Sequence, residues 1–183
     1  MLIDEFLAFT ETRPQEERWE LIEGEPVLNP SPVKTHQLIA SNIAGFLLNG
    51  EGAPRRHLVP MLGVGTEVPI STNSLQPDVY VQESGVADMS HVTSDAIVIF
   101  DVLSRSNTKP DQAWRRRVYS SVPNCRHYVT VSLKTAEVVV YDHATQWAAR
   151  KFDGLSVTAG LPAIGVSLSL ARIYRWTPLG QVS

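Results

Sequence analysis

One cysteine, Cys125, stands in 183 residues, so no internal disulfide can form. No Cys/His group has zinc-ligand spacing, and the chain reads as one suited to a reducing compartment. Long apolar runs are missing. Nothing approaches the roughly 18 consecutive apolar residues that span a bilayer, since even the stretch 96–103 is broken at Asp101. The first ten residues carry Asp4 and Glu5 without a basic start, which is not the pattern of a signal peptide. Positive charge is not in excess either. Sixteen basic and 19 acidic side chains give a net charge of −3, which excludes the global field of a nucleic-acid coat protein and confines polyanion contact to a local patch. These absences predict a cytoplasmic protein. Ser104 and Cys125 lack the Gly-x-Ser-x-Gly elbow or a Cys/His signature, and neither a Walker loop nor a dinucleotide fingerprint occurs, which argues against acyl-transfer and nucleotide-cofactor chemistry.

What is present suits a single domain, 1–183, with 43% hydrophobic residues to fill one core. Leu2, Ile3, Phe6, Leu7 and Phe9 recur at helical spacing. Residues 19–28 read as strand, turn, strand, with Gly24 able to reverse the chain. A helix is predicted from Thr35, which would cap it, with Ile39, Ile43, Phe46 and Leu47 on one face. Valine- and isoleucine-rich strands follow at 62–70, 77–82 and 96–103, then a helix over 111–121. Short strand-like segments at 126–132, 137–142, 146–152, 155–158 and 166–170 complete the chain. This order predicts an α/β (α+β) fold around one central mixed sheet flanked by helices, with additional C-terminal strands.

The candidate chemistry lies in acids embedded in apolar strands. Asp78 follows Pro77 at the start of a β-rich run, and Asp101 sits inside the run 97–103. A turn or cap carboxylate is the ordinary alternative for Asp78. Asp101 has less recourse to such a role, because burying its charge is costly unless it is paired, protonated or bound to a metal. Two such acids on adjacent strands could converge on a hard divalent ion, which takes one or two carboxylates together with water and phosphate oxygens.

The ordered set Trp19-Glu20-Leu21-Ile22-Glu23-Gly24-Glu25, His36, Pro77-Asp78-Val79, Asp101-Val102-Leu103-Ser104, then Asp111 with Tyr119, resembles a widespread bacterial family of restriction-endonuclease-like proteins, the Uma-type family of the PD-(D/E)XK nuclease superfamily. The resemblance covers roughly residues 5–170. It implies a restriction-endonuclease-like core and Mg²⁺- or Mn²⁺-dependent cleavage of DNA. On that resemblance Asp78 is the proline-linked acid, Asp101 stands for a second acid that is usually glutamate, and Glu20 is an auxiliary acid or third metal ligand. Leu103 occupies the place of the superfamily lysine. The family moves that lysine to the next helix, where this chain has Arg115.

Asp111, Arg115 and Tyr119 follow each other at i, i+4 and i+8, so one helix face presents all three. Arginine holds its charge and offers a fixed fork of donors, which suits a phosphate clamp and makes a poor general base. An ion-paired or solvated helix residue is the plain alternative. Arg105, Lys109 and Arg116 gather positive charge around the same helix and are candidate DNA contacts, although three consecutive arginines must point in different directions. Arg55, Arg56 and His57 form a second basic group, and His36 reads equally as a site residue or a structural histidine. The resemblance further implies a homodimer, since duplex cleavage takes two sites. With Arg115 for lysine and the shorter acid at Asp101, a catalytically inactive DNA- or protein-binding accessory factor is the competing expectation.

Overall fold

The computed structural model describes residues 1–14, 16–49, 58–62, 65–67, 72–85, 92–104 and 107–180. The N-terminal helix α1 (Ile3–Glu11) leads into a hairpin of β1 (Arg18–Ile22) and β2 (Glu25–Asn29). The hairpin turns at Glu23 and Gly24, both at positive φ (50° and 85°), which glycine adopts at no steric cost. Helix α2 (Lys34–Leu48) follows, then β3 (Leu58–Met61), β4 (Gly65–Glu67), β5 (Ser74–Leu75), β6 (Val79–Glu83), β7 (Val92–Thr93) and β8 (Val98–Leu103). Helix α3 (Lys109–Tyr119) precedes β9 (His127–Ser132), β10 (Glu137–Asp142), β11 (Ala148–Asp153), β12 (Thr158–Leu161), β13 (Val166–Ser169) and a final turn of helix, α4 (Leu170–Ile173).

The main sheet has the order β11-β10-β9-β8-β6-β3. It is mixed: β8 and β9 run parallel, joined through α3, and the neighbouring pairs are antiparallel. Side chains alternate across it. Val98, Phe100 and Val102 of β8 join Val129 and Val131 of β9 in one core, covered by Ile39, Ile43 and Leu47 of α2 and by the β12–β13 hairpin. Ile99, Tyr80 and Tyr128 enter a second core on the opposite face, covered by Val118 and Tyr119 of α3. Asp101 shares strand parity with Ile99, so it belongs to the α3 side. A second sheet, β2-β1-β5-β4-β7, brings the β1 hairpin alongside.

Four local expectations are corrected. Helix α2 starts at Lys34 with extended Val33 at its N-cap and no side-chain capping bond, so Thr35 lies inside the first turn and does not cap it. Of the strand expected at 62–70, Gly65–Glu67 is strand and Leu62 is not, while the remaining residues of that span lie outside the described ones; the preceding strand, Leu58–Met61, belongs to the other sheet. The strand expected at 155–158 starts only at Thr158, because Gly154 at φ 97° and the Val157 amide bond to its carbonyl form a turn first. Likewise β11 starts at Ala148, since Gln146 and Trp147 are both at positive φ.

Candidate active site

Asp78 lies one residue before β6, where Pro77 ends the approach. Its amide donates to the Phe100 carbonyl at 3.1 Å, and its Oδ2 accepts the Val102 amide at 2.7 Å. These two partners flank Asp101, so the two aspartates sit on neighbouring chain segments at the same end of the sheet. His36, in the first turn of α2, places Nε2 3.2 Å from the same Oδ2, and Arg18 of β1 comes within 3.7 Å of Oδ1.

Asp101 is 6% exposed on β8, the strand between β6 and β9. Its Oδ2 accepts the Tyr128 hydroxyl at 3.0 Å and lies 3.8 Å from Nη1 of Arg115. Arg115 reaches across from α3 to Glu20 of β1, donating from Nη1 to Oε1 at 3.2 Å and from Nη2 to Oε2 at 2.5 Å. Glu20 Oε1 also accepts the Gln76 amide at 2.9 Å. Asp111, one turn earlier on α3, is 3.7 Å from Arg115 Nε and is itself held by the Asn107 side chain at 2.9 Å. Helix α3 is set in place by Thr108, whose hydroxyl accepts the Asp111 amide at the N-cap, with Pro110 in the first turn.

Electrostatics follow from this crowding. Burial raises the Asp101 carboxyl from 3.8 to about 7, against the pull of Arg115 and with the push of Asp78 and Glu20. Burial alone would lower Arg115, but Asp101 and the other acids hold it above its ordinary value, so it stays charged.

The floor opens into a cleft of about 730 Å³ lined by Arg18, Glu20, His36, Asp78, Asp101 and Arg115, with apolar walls that include Val33 and Leu133. All four acids and bases expected at the centre, Glu20, Asp78, Asp101 and Arg115, are thus brought together. Of the expected DNA contacts, Lys109 is exposed at the start of α3, and Arg116 lies 5.2 Å over the Tyr141 ring. Neither lines the cleft. Arg105, Arg55, Arg56 and His57 lie outside the described residues. Sequence reasoning missed Arg18, Tyr128, Asn107 and Lys134; the last lines the cleft wall. Arg18 had a signal, because it precedes Glu20 by two positions on a strand and so shares its face.

Among the described residues no group of three or more His, Cys, Asp or Glu side chains converges as a cage. Glu20 has both oxygens engaged by Arg115. Asp78 and Asp101 remain, each bonded through Oδ2, and a pair of carboxylates completed by water and phosphate fits a Mg²⁺-type ion. Cys125, buried on the α3 side, is pushed up to about 12 by burial and is no nucleophile.

The fold has a solved counterpart. The chain matches a solved structure described as "a putative nuclease belonging to DUF820 from Anabaena variabilis ATCC 29413" with a TM-score of 0.76 and 18% identity, covering 96% of this chain and 98% of that one. More particularly, the chain belongs to the Uma2 family, described as "Putative restriction endonuclease", whose model matches residues 3–171. No curated protein matches it. Among the described residues no helix is long and apolar enough to cross a membrane.

Proposed function

We propose that this chain is a Mg²⁺- or Mn²⁺-dependent DNA endonuclease of the PD-(D/E)XK type, with Asp78 and Asp101 as the metal ligands. The observation that carries this reading is the pair of carboxylates at the floor of an open cleft, each bonded through Oδ2. A bound divalent ion would supply polarisation of a phosphodiester oxygen and an activated water. Asp78 and Asp101 hold that ion's place. Arg115 supplies permanent positive charge beside the reacting group. Its double bond to Glu20 fixes the guanidinium, so it acts as preorganised charge and takes no proton from water. Glu20 is therefore a positioning residue for Arg115, and Arg18 and His36 flank Asp78. Lys134 on the cleft wall and Lys109 on α3 offer cations to the DNA backbone. Cutting both strands would take two such sites and hence a homodimer.

Purified protein incubated with plasmid DNA and Mg²⁺ or Mn²⁺ tests this directly. Nicking that disappears with chelator and in Asp78→Ala is the expected result. Wild-type protein that nicks no faster than Asp78→Ala would reject the activity.

One observation favours a second reading, an inactive accessory factor. The Arg115 guanidinium already lies 3.8 Å from Asp101 and is bonded to Glu20, so an internal cation partly occupies the role of a metal. DNA or protein binding that ignores chelator, with no heat of Mn²⁺ binding, would select this reading.

A further inference from the structure

We infer that Tyr128 is a positioning residue that turns Asp101 so that Oδ1, and not Oδ2, faces a divalent ion. This rests on the reading of Asp78 and Asp101 as metal ligands. The two aspartates are gripped alike. Asp78 offers Oδ2 to the Val102 amide at 2.7 Å and to His36 at 3.2 Å, and Asp101 offers Oδ2 to the Tyr128 hydroxyl at 3.0 Å and to Arg115 at 3.8 Å. Among the described residues neither Oδ1 takes a hydrogen bond; the Arg18 guanidinium, 3.7 Å from Asp78 Oδ1, is its ion-pair neighbour. Both side chains line the same cleft. One oxygen of each carboxylate is thus tied to the protein, and its twin is left for a ligand from the cleft.

The terminal torsion of an aspartate is soft, so a bare carboxylate on β8 would rotate freely. Tyr128 removes that freedom because it cannot itself move. It lies on β9, parallel to β8, with the ladder pairing Tyr128 to Ile99 and Thr130 to Asp101, so its side chain is on the same sheet face as Asp101. Its ring stacks on Tyr141 at 5.6 Å with planes 18° apart and packs against Tyr119 at 5.1 Å. It is fully buried, and its hydroxyl donates to Asp101 Oδ2. Removing a hydrogen-bond partner of a metal ligand typically lowers metal affinity about 10–100-fold.

Tyr119 supplies the control. It is equally buried in the same cluster and touches Tyr128, but its hydroxyl has no hydrogen-bond partner among the described residues. Calorimetric titration with Mn²⁺ of wild type, Tyr128→Phe and Tyr119→Phe decides the matter, with melting in EDTA recorded for each. Phenylalanine keeps each ring and its stacking. The expected result is a loss of about tenfold or more in Mn²⁺ affinity for Tyr128→Phe and wild-type affinity for Tyr119→Phe. Equal affinity in wild type and Tyr128→Phe would overturn the positioning role while leaving the metal site standing. An equal loss in both variants would also overturn it, since general loosening of the tyrosine cluster would then be the cause. A wild type that binds no Mn²⁺ would bring down the metal reading itself and this role with it.

Discussion

Arg115 on α3 grips both carboxylate oxygens of Glu20, 95 positions away on β1, at 3.2 and 2.5 Å. The pair clamps the helix following β8 to the hairpin at the start of the chain, and it forms one side of the acid-lined floor. The Glu20 side chain is 2% exposed and that of Arg115 12%, so water contributes little to either charge.

Replacing Arg115 by alanine leaves Glu20 buried with a single backbone amide for a partner and removes the cation facing Asp101. Breaking a buried pair at one end typically costs about 3–5 kcal/mol. Urea unfolding at neutral pH is expected to show a loss of that order for Arg115→Ala, with a smaller loss for the double variant Arg115→Met, Glu20→Leu, which leaves no orphaned charge. A wild-type midpoint for Arg115→Ala would show that the clamp carries no stability.

Asp101 gives the stability curve an unusual slope. Its carboxyl titrates near 7 in the folded chain, mainly because burial penalises the charge, against about 3.9 in an unfolded one. The folded state therefore binds more protons than the unfolded state between these values. The stabilisation from this group is complete below about pH 4, falls as pH rises, and is gone above about pH 7. Asp101→Asn cannot ionise. Relative to wild type, it is expected to gain thermal stability from about pH 4 to about pH 7 and to level off above that. A constant difference across that range would mean that the Asp101 charge is already well compensated in the fold.

The acids were legible in the sequence because a carboxylate inside a run such as 97–103 needs a reason to be there. Their mutual placement followed from β6 and β8 being neighbours, which a pattern of short valine-rich strands suggests without proving. What stayed hidden depended on direction. Arg115 and Arg116 are adjacent in the chain, yet a helical step turns one into the floor and the other onto Tyr141. Tyr128 in a β-run is indistinguishable from a core aromatic until the parallel partner strand sets it beside Asp101. The span 155–158 misled for a related reason: the turn at Gly154 decides where β12 starts, and apolar composition continues straight through it.

Gly180 closes the C-terminal segment against the fold. A Cβ at that position would stand 2.0 Å from the Tyr174 carbonyl oxygen and 2.7 Å from its carbon, both backbone atoms that cannot swing aside. Tyr174 is itself a clasp, its one hydroxyl proton shared between the carbonyls of Ser132 and Glu137 at 2.9 and 2.8 Å. Gly180→Ala is expected to cost about 1–3 kcal/mol, the usual price of forced overpacking, and to lower the melting temperature. Unchanged melting would show that the turn at 177–180 yields without disturbing Tyr174.

His127 titrates in the opposite sense to Asp101. It is 1% exposed at the start of β9, and its Nε2 accepts the Ala163 amide at 3.2 Å, so the ring proton belongs on Nδ1. That Nδ1 has no hydrogen-bond partner among the described residues and lies 3.8 Å from Asp142 Oδ1. Burial pushes the imidazole below 6.5 despite the pull of Asp142, with Arg150 pushing the same way as burial. The unfolded chain thus takes up a proton at a higher pH than the folded one. Stability from the neutral ring is present above about pH 6.5 and is lost as pH falls through the depressed folded value. Gln in place of His127 keeps an acceptor for Ala163 and cannot be protonated. Melting temperatures of the two proteins compared from pH 7.5 to pH 5 are expected to shift progressively in favour of His127→Gln as the solution is acidified. The Asp101 contribution is common to both and cancels in the difference. A difference that stays flat, or that moves in favour of the wild type, would mean that Asp142 pairs with a charged imidazole and outweighs its burial.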